Sequence, residues 1–157
     1  MKEGLIAELQ SARQFFHNSI SCLQEEDSDY APTPEMFTVA QQVEHVAQTI
    51  EWFFQGAFSP EGFDMNFEQH MAELKKCASF RAAVEHFDRA IEQAIQTLRN
   101  ISIDELLATF PQGTVMAGAP KFAIVNGIVD HCAHHRGALT VYARLLGKTP
   151  KMPYGEA

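Results

Sequence analysis

The sequence predicts an all-α fold, a four-helix bundle, and three observations carry the prediction. Four long windows of the 157-residue chain repeat apolar side chains every three to four residues, the period of a helix with one buried face. No window alternates apolar and polar residues as a half-buried strand does. The prolines, Pro32, Pro34, Pro60, Pro111, Pro120 and Pro150 among them, fall between these windows and not inside them. The length fits one domain spanning 1–157, within the usual ~100–200 residues per domain.

The first helix carries Leu5, Leu9, Ala12, Phe16, Ile20 and Leu23 on one face. The acidic run Glu25–Asp29 and the Pro32/Pro34 pair end it and make a linker. Thr38 with Gln41 forms a capping box that opens the second helix. Its stripe is Val39, Val43, Val46, Ile50, Phe53 and Ala57, in steps of four and three, the period of an interhelical seam. Gly56, Pro60 and Gly62 close it. Asp64–Lys76 suits a short extra helix or a turn between helices two and three. Ser79 caps the third long helix, with Phe80, Val84, Phe87, Ile91, Ala94 and Leu98 on one side, and Asn100 ends it. Ser102 with Glu105 starts one brief helical turn, and Pro111–Pro120 reads as a loop. The last helix runs from about Phe122 to Leu146 and stops at Gly147, with Pro150 beyond and an extended or loose tail.

Composition excludes several function classes. The apolar fraction of 46% supplies a core, and the net charge of −8 comes without any Lys/Arg cluster, so a nucleic-acid partner is not expected. No apolar run reaches the ~18 residues of a membrane span. The start, MKEGLIAELQ, lacks the apolar core and cleavage site of a signal peptide. With Cys22, Cys77 and Cys132 odd in number and far apart, reduced thiols and a cytoplasmic location are expected.

The sharpest chemical signal is Asp130–Gly147, DHCAHHRGALTVYARLLG, which holds three of the seven histidines within five residues. On a helix, positions four apart share a face with an offset of ~40°, so His131 and His135 present two imidazoles to one metal ion. His134 competes as an i, i+3 partner of His131, but its ~60° offset is less favourable. A third protein ligand would leave one coordination position open, and the Pro111–Pro120 loop is expected to border it. His45, mid-way along the second helix beside the Val43/Val46 seam, is the best candidate, since bundles build metal sites from inward side chains of facing helices. Cys132 points ~100° away from His131 and reads as packing. His17, His70 and His86 have no helical histidine partner and read as structural or surface residues. Glu44 and Asp130 each precede a candidate ligand and read as solvated acids before hydrogen-bond acceptors behind the ligands. There is no HExxH zinc-peptidase motif, no paired ExxH di-iron motif and no phosphate loop, and no catalytic residue can be picked out.

His45 within TVAQQVEHVAQTIEWF, together with HxxxHRG followed by LTVYARLLG, resembles the DinB-like (YfiT-like) metal-binding four-helix-bundle superfamily over nearly the whole chain. The resemblance implies that His45, His131 and His135 are the ligands, of zinc, nickel or a similar divalent ion, with iron or manganese also possible. It further implies an up-down-down-up topology and a homodimer. The activities it implies are transfer or isomerisation reactions using low-molecular-weight thiols such as mycothiol or bacillithiol. Hydrolysis on the same site, or a non-catalytic metal-binding bundle, are the other readings. Ala138 stands where the family commonly has Gln after HRG, so any hydrogen bonding by that side chain is missing here.

Overall fold

The computed structural model describes residues 1–155. Its helices are α1 Lys2–Ile20, α2 Val39–Phe58, α3 Phe67–Leu74, α4 Phe80–Asn100, α5 Ile103–Leu107 and α6 Ile124–Leu145. Among the described residues there is no β-strand, only a single bridge between Thr109 and Pro120. No helix among them is long and apolar enough to cross a membrane.

Contacts along the four long helices give their directions. Lys2 Nζ reaches the Arg99 carbonyl at 3.0 Å and His17 meets Asp88 at 2.7 Å, so α1 and α4 run antiparallel. Cys77, ahead of α4, lies 3.8 Å from the Ala40 carbonyl near the start of α2, while Phe54 and Phe58 share a hollow with Ala94 and Thr97. Helices α2 and α4 are therefore parallel. Gln42 bonds Tyr142, and the Phe53 ring lies 3.2 Å from where a Cβ on Gly127 would sit, so α2 and α6 are antiparallel. With α1 antiparallel to α4, α4 parallel to α2 and α2 antiparallel to α6, helices α1 and α6 run parallel. The result is up-down-down-up, with α1, α4, α2 and α6 in that order around the bundle. Parallel neighbours α2 and α4 need a crossover the length of the bundle, roughly 30 Å for a 20-residue helix. Residues 59–79, including α3, provide it.

The core is built from the predicted stripes. Leu9, Phe16, Val43, Val46, Phe87, Ile91 and Leu98 are all 0% exposed, and Phe16 and Phe87 stack at 4.6 Å in the middle. Thr38 and Gln41 make the reciprocal capping box, and Ser79 caps α4 through the Ala82 amide.

Four local expectations need correction. Helix α1 ends at Ile20 and not Leu23, with the Ser21 hydroxyl bonded to the Asn18 carbonyl, although Leu23 is still buried. In α2 the buried ring is Phe54, and Phe53 is displaced to lie over Gly127. Part of the acidic linker forms a 3-10 turn, Glu25–Asp27, closed by reciprocal bonds between Gln24 and Asp27. The tail is not loose through Gly155: Asn18 Nδ2 donates to the carbonyls of Pro153 and Gly155, and Tyr154 packs edge-on to Phe15.

Candidate metal centre

The antiparallel seam of α2 and α6 brings distant histidines to one point. His131 and His135 lie one turn apart on α6, with ring centroids 4.3 Å from each other. The His45 ring of α2 stands 5.0 Å from that of His131 and 4.9 Å from that of His135. One nitrogen from each ring falls within 4.8 Å of the other two. Nitrogens sharing an ion through bonds of ~2.1 Å can be at most ~4.2 Å apart. Shifts of under ~1 Å would therefore let all three coordinate one ion.

The electrostatics keep these rings neutral. Burial, then the nearby His131, His45 and His134, lowers His135 to about 3. Burial, then His45 and His134, lowers His131 to about 4. Burial also lowers His45, with His134 adding to it. A neutral imidazole offers a lone pair, and an imidazole set suits zinc, nickel, copper or iron.

His135 is held from behind. Its Nδ1 lies 2.5 Å from Gln42 Oε1, Gln42 Nε2 donates to the Tyr142 hydroxyl at 3.2 Å, and that hydroxyl donates to the Phe37 carbonyl at 3.0 Å. On the front, His135 Nε2 faces His131 Nε2 at 3.1 Å. His131 Nδ1 is buried with no hydrogen-bond partner among the described residues. Buried polar atoms are normally paired, so an orphan nitrogen inside a histidine cluster fits a site for a cation. The three residues present thus fit a divalent ion in both chemistry and spacing.

Gln42, Tyr142 and Phe37 were not singled out by sequence reasoning. A signal for the first two exists, because Gln42 is a polar residue on the buried α2 seam, and Tyr142 follows His135 by seven positions on the same face of α6. Both are buried, Tyr142 at 1% exposed. Phe37 also brings its ring to 5.5 Å from His45, so the segment ahead of α2 borders the centre. The Pro111–Pro120 loop was expected to border the open position. Its residues Pro111, Gly113, Thr114 and Val115 instead line a hollow with Gly56–Met65, and Gly56 is roughly 16 Å along α2 from His45.

The remaining candidates separate cleanly. His134 is exposed, with its ring 4.8 Å from that of His135, and stays at the rim outside the triad. Cys132 is buried, lines a hollow with α1 residues, and burial pushes its thiol up to about 12, as suits packing and not reactivity. Glu44 is neither a solvated acid nor an acceptor behind a ligand: with Glu51 it clasps His86 of α4, at 2.9 and 3.0 Å. Those hydrogen bonds raise His86 to about 9. His17 pairs with Asp88 and His70 with Asp64, and Asp130 is exposed as expected.

The DinB family model matches residues 1–157. No curated protein matches the chain. Among solved structures, the chain is similar to YfiT from Bacillus subtilis, with a TM-score of 0.71 at 17% identity over 94% of this chain and 89% of that one. YfiT is described as a probable metal-dependent hydrolase with an unusual four-helix bundle topology. At that identity the likeness shows the fold.

Proposed function

The chain belongs to the DinB family, and on that premise we propose a divalent-metal-binding bundle enzyme that transfers a low-molecular-weight thiol, with His45, His131 and His135 as ligands and zinc or nickel as the ion. The observation that supports it is the convergence of three neutral imidazoles from α2 and α6, one nitrogen of each within 4.8 Å of the others. Three neutral ligands leave a divalent ion its full charge and an open position, so when bound it supplies Lewis acidity that lowers the pKa of a thiol or a water.

The chain's own part is to bind the ion and to shield one side of it. His135 at 7% exposed closes the inner side, and the Phe37 ring covers His45. Glu44, the acid next to His45, is bound to His86 and cannot act as a general base at the centre. That favours thiol chemistry, in which the activated thiol is itself the nucleophile, over hydrolysis, which gains from a base beside the water. Hydrolysis remains the second reading because of the likeness to YfiT. A homodimer in the cytoplasm accompanies the proposal, and a monomer in sedimentation at micromolar concentration would remove the dimer.

Calorimetric titration of zinc- or nickel-loaded and metal-free protein with mycothiol and bacillithiol tests the reaction class. Thiol binding by the loaded protein alone is the expected result. Loaded protein that ignores thiols but cleaves simple esters would replace the transferase with a hydrolase. Loaded protein that does neither would leave a non-catalytic metal-binding bundle.

A further inference from the structure

The hydrogen bonds behind His135 have only one possible polarity. A backbone carbonyl can only accept, so the Tyr142 hydroxyl donates its hydrogen to the Phe37 carbonyl at 3.0 Å. The Tyr142 oxygen is then free to accept, and it does so from Gln42 Nε2 at 3.2 Å. This fixes the orientation of the amide, with Gln42 Oε1 turned to His135 Nδ1 at 2.5 Å. An amide oxygen also only accepts, so Nδ1 must carry the imidazole hydrogen. A neutral imidazole has one N–H, and Nε2 of His135 is left with a lone pair facing His131 and the centre. Gln42 is 7% exposed and Tyr142 1%, so water has little access to replace either partner.

We infer that Gln42 and Tyr142 are positioning residues which hold His135 as the Nδ1–H tautomer and so select Nε2 as its metal-binding nitrogen. The selection begins at the Phe37 carbonyl, in the segment that also places a ring against His45. One residue segment thus orients ligands on both helices. The tautomer is a property of the metal-free protein. Only the consequence for affinity rests on the metal-site reading.

The test uses full-length metal-free protein labelled with ¹⁵N in histidine at pH 8, where the imidazoles of the centre are neutral, and reads the tautomer of His135 from long-range ¹H–¹⁵N correlations. Parent protein should show His135 as Nδ1–H. Gln42→Leu and Tyr142→Phe should lose that single tautomer, and zinc affinity should fall about 10–100-fold. Gln42→Glu, which still presents an acceptor oxygen, should keep the Nδ1–H form and bind zinc within roughly threefold of parent or more tightly. A role in packing alone would not reverse with the added carboxylate. Should Gln42→Leu fail to fold, Tyr142→Phe removes a single oxygen and carries the same test. An Nε2–H tautomer in the parent overturns the inference, as do Gln42→Leu and Tyr142→Phe variants with parental tautomer and zinc affinity. A parent with the Nδ1–H tautomer that binds no divalent ion supports the tautomer assignment and refutes the metal-site reading.

Discussion

Acidifying the metal-free protein from pH 7 to pH 5 should lower its stability, and the histidines of the centre set the amount. His135 is held down at about 3 and His131 at about 4, in both cases mainly by burial. In the unfolded chain each returns toward ~6.5. The unfolded state then binds more protons than the folded one below ~6.5, so stability present at neutral pH is lost as pH falls toward the folded values. Over this window linkage gives up to ~2 kcal/mol for each ring, reduced to about 1 kcal/mol each by solvent reaching the half-open cluster. His45 shifts in the same direction. His86 opposes them, since Glu44 and Glu51 raise it to about 9. Its folded form already holds the proton, so acidification adds only about 0.5 kcal/mol from this half-exposed group. The depressed histidines win, and a net loss of about 1.5–2 kcal/mol is expected. Urea unfolding at the two pH values, with an unchanged m-value, measures it. His135→Gln, which keeps a polar side chain without a titrating group, should remove about 1 kcal/mol of the difference. Stability that is flat or rises from pH 7 to pH 5, or a pH dependence untouched by His135→Gln, would refute the reasoning.

The raised His86 predicts an alkaline effect: its contribution is present below ~6.5 and lost as pH rises through about 9. His86→Gln should therefore be less stable than parent by about 1 kcal/mol near pH 6, with the gap closing near pH 10 in denaturant titrations. Phe87 is 0% exposed and stacks on Phe16 at 4.6 Å, so Phe87→Ala should lower unfolding free energy by about 3–5 kcal/mol in the same assay. Thr38 accepts from the Gln41 amide at 3.2 Å, and Thr38→Ala should cost about 1 kcal/mol. A change below about 0.3 kcal/mol there would mean that packing alone holds the start of α2.

The bundle was legible because its helices obey a period that needs no tertiary information. The stripe through Leu9, Phe16, Val43, Ile50, Phe87 and Leu98 is the buried one. The convergence of the three histidine rings was legible for the same reason, since a spacing of four on α6 and a seam position on α2 restrict where the rings can point. What could not be read depends on contacts between segments far apart in the chain. Phe53 leaves the α2 stripe because Gly127, 74 positions later, has no Cβ and lets the ring approach. Glu44 looked solvated until α4 placed His86 beside it, 42 positions away. The Gln42–Tyr142–Phe37 connection joins residues 100 and 105 positions apart, and no local pattern announces such a pairing. The tail is held down by Asn18, and its own prolines carry no sign of that partner.

Zinc and nickel titration of metal-free protein, with His45→Ala and His135→Ala beside the parent and helix content followed by circular dichroism, is the most direct test of a three-histidine centre. One ion per chain in the parent, lost in both folded variants, is the predicted result. A parent that takes up neither zinc, nickel, iron nor manganese, or a His45→Ala variant that binds as tightly as the parent, would contradict it.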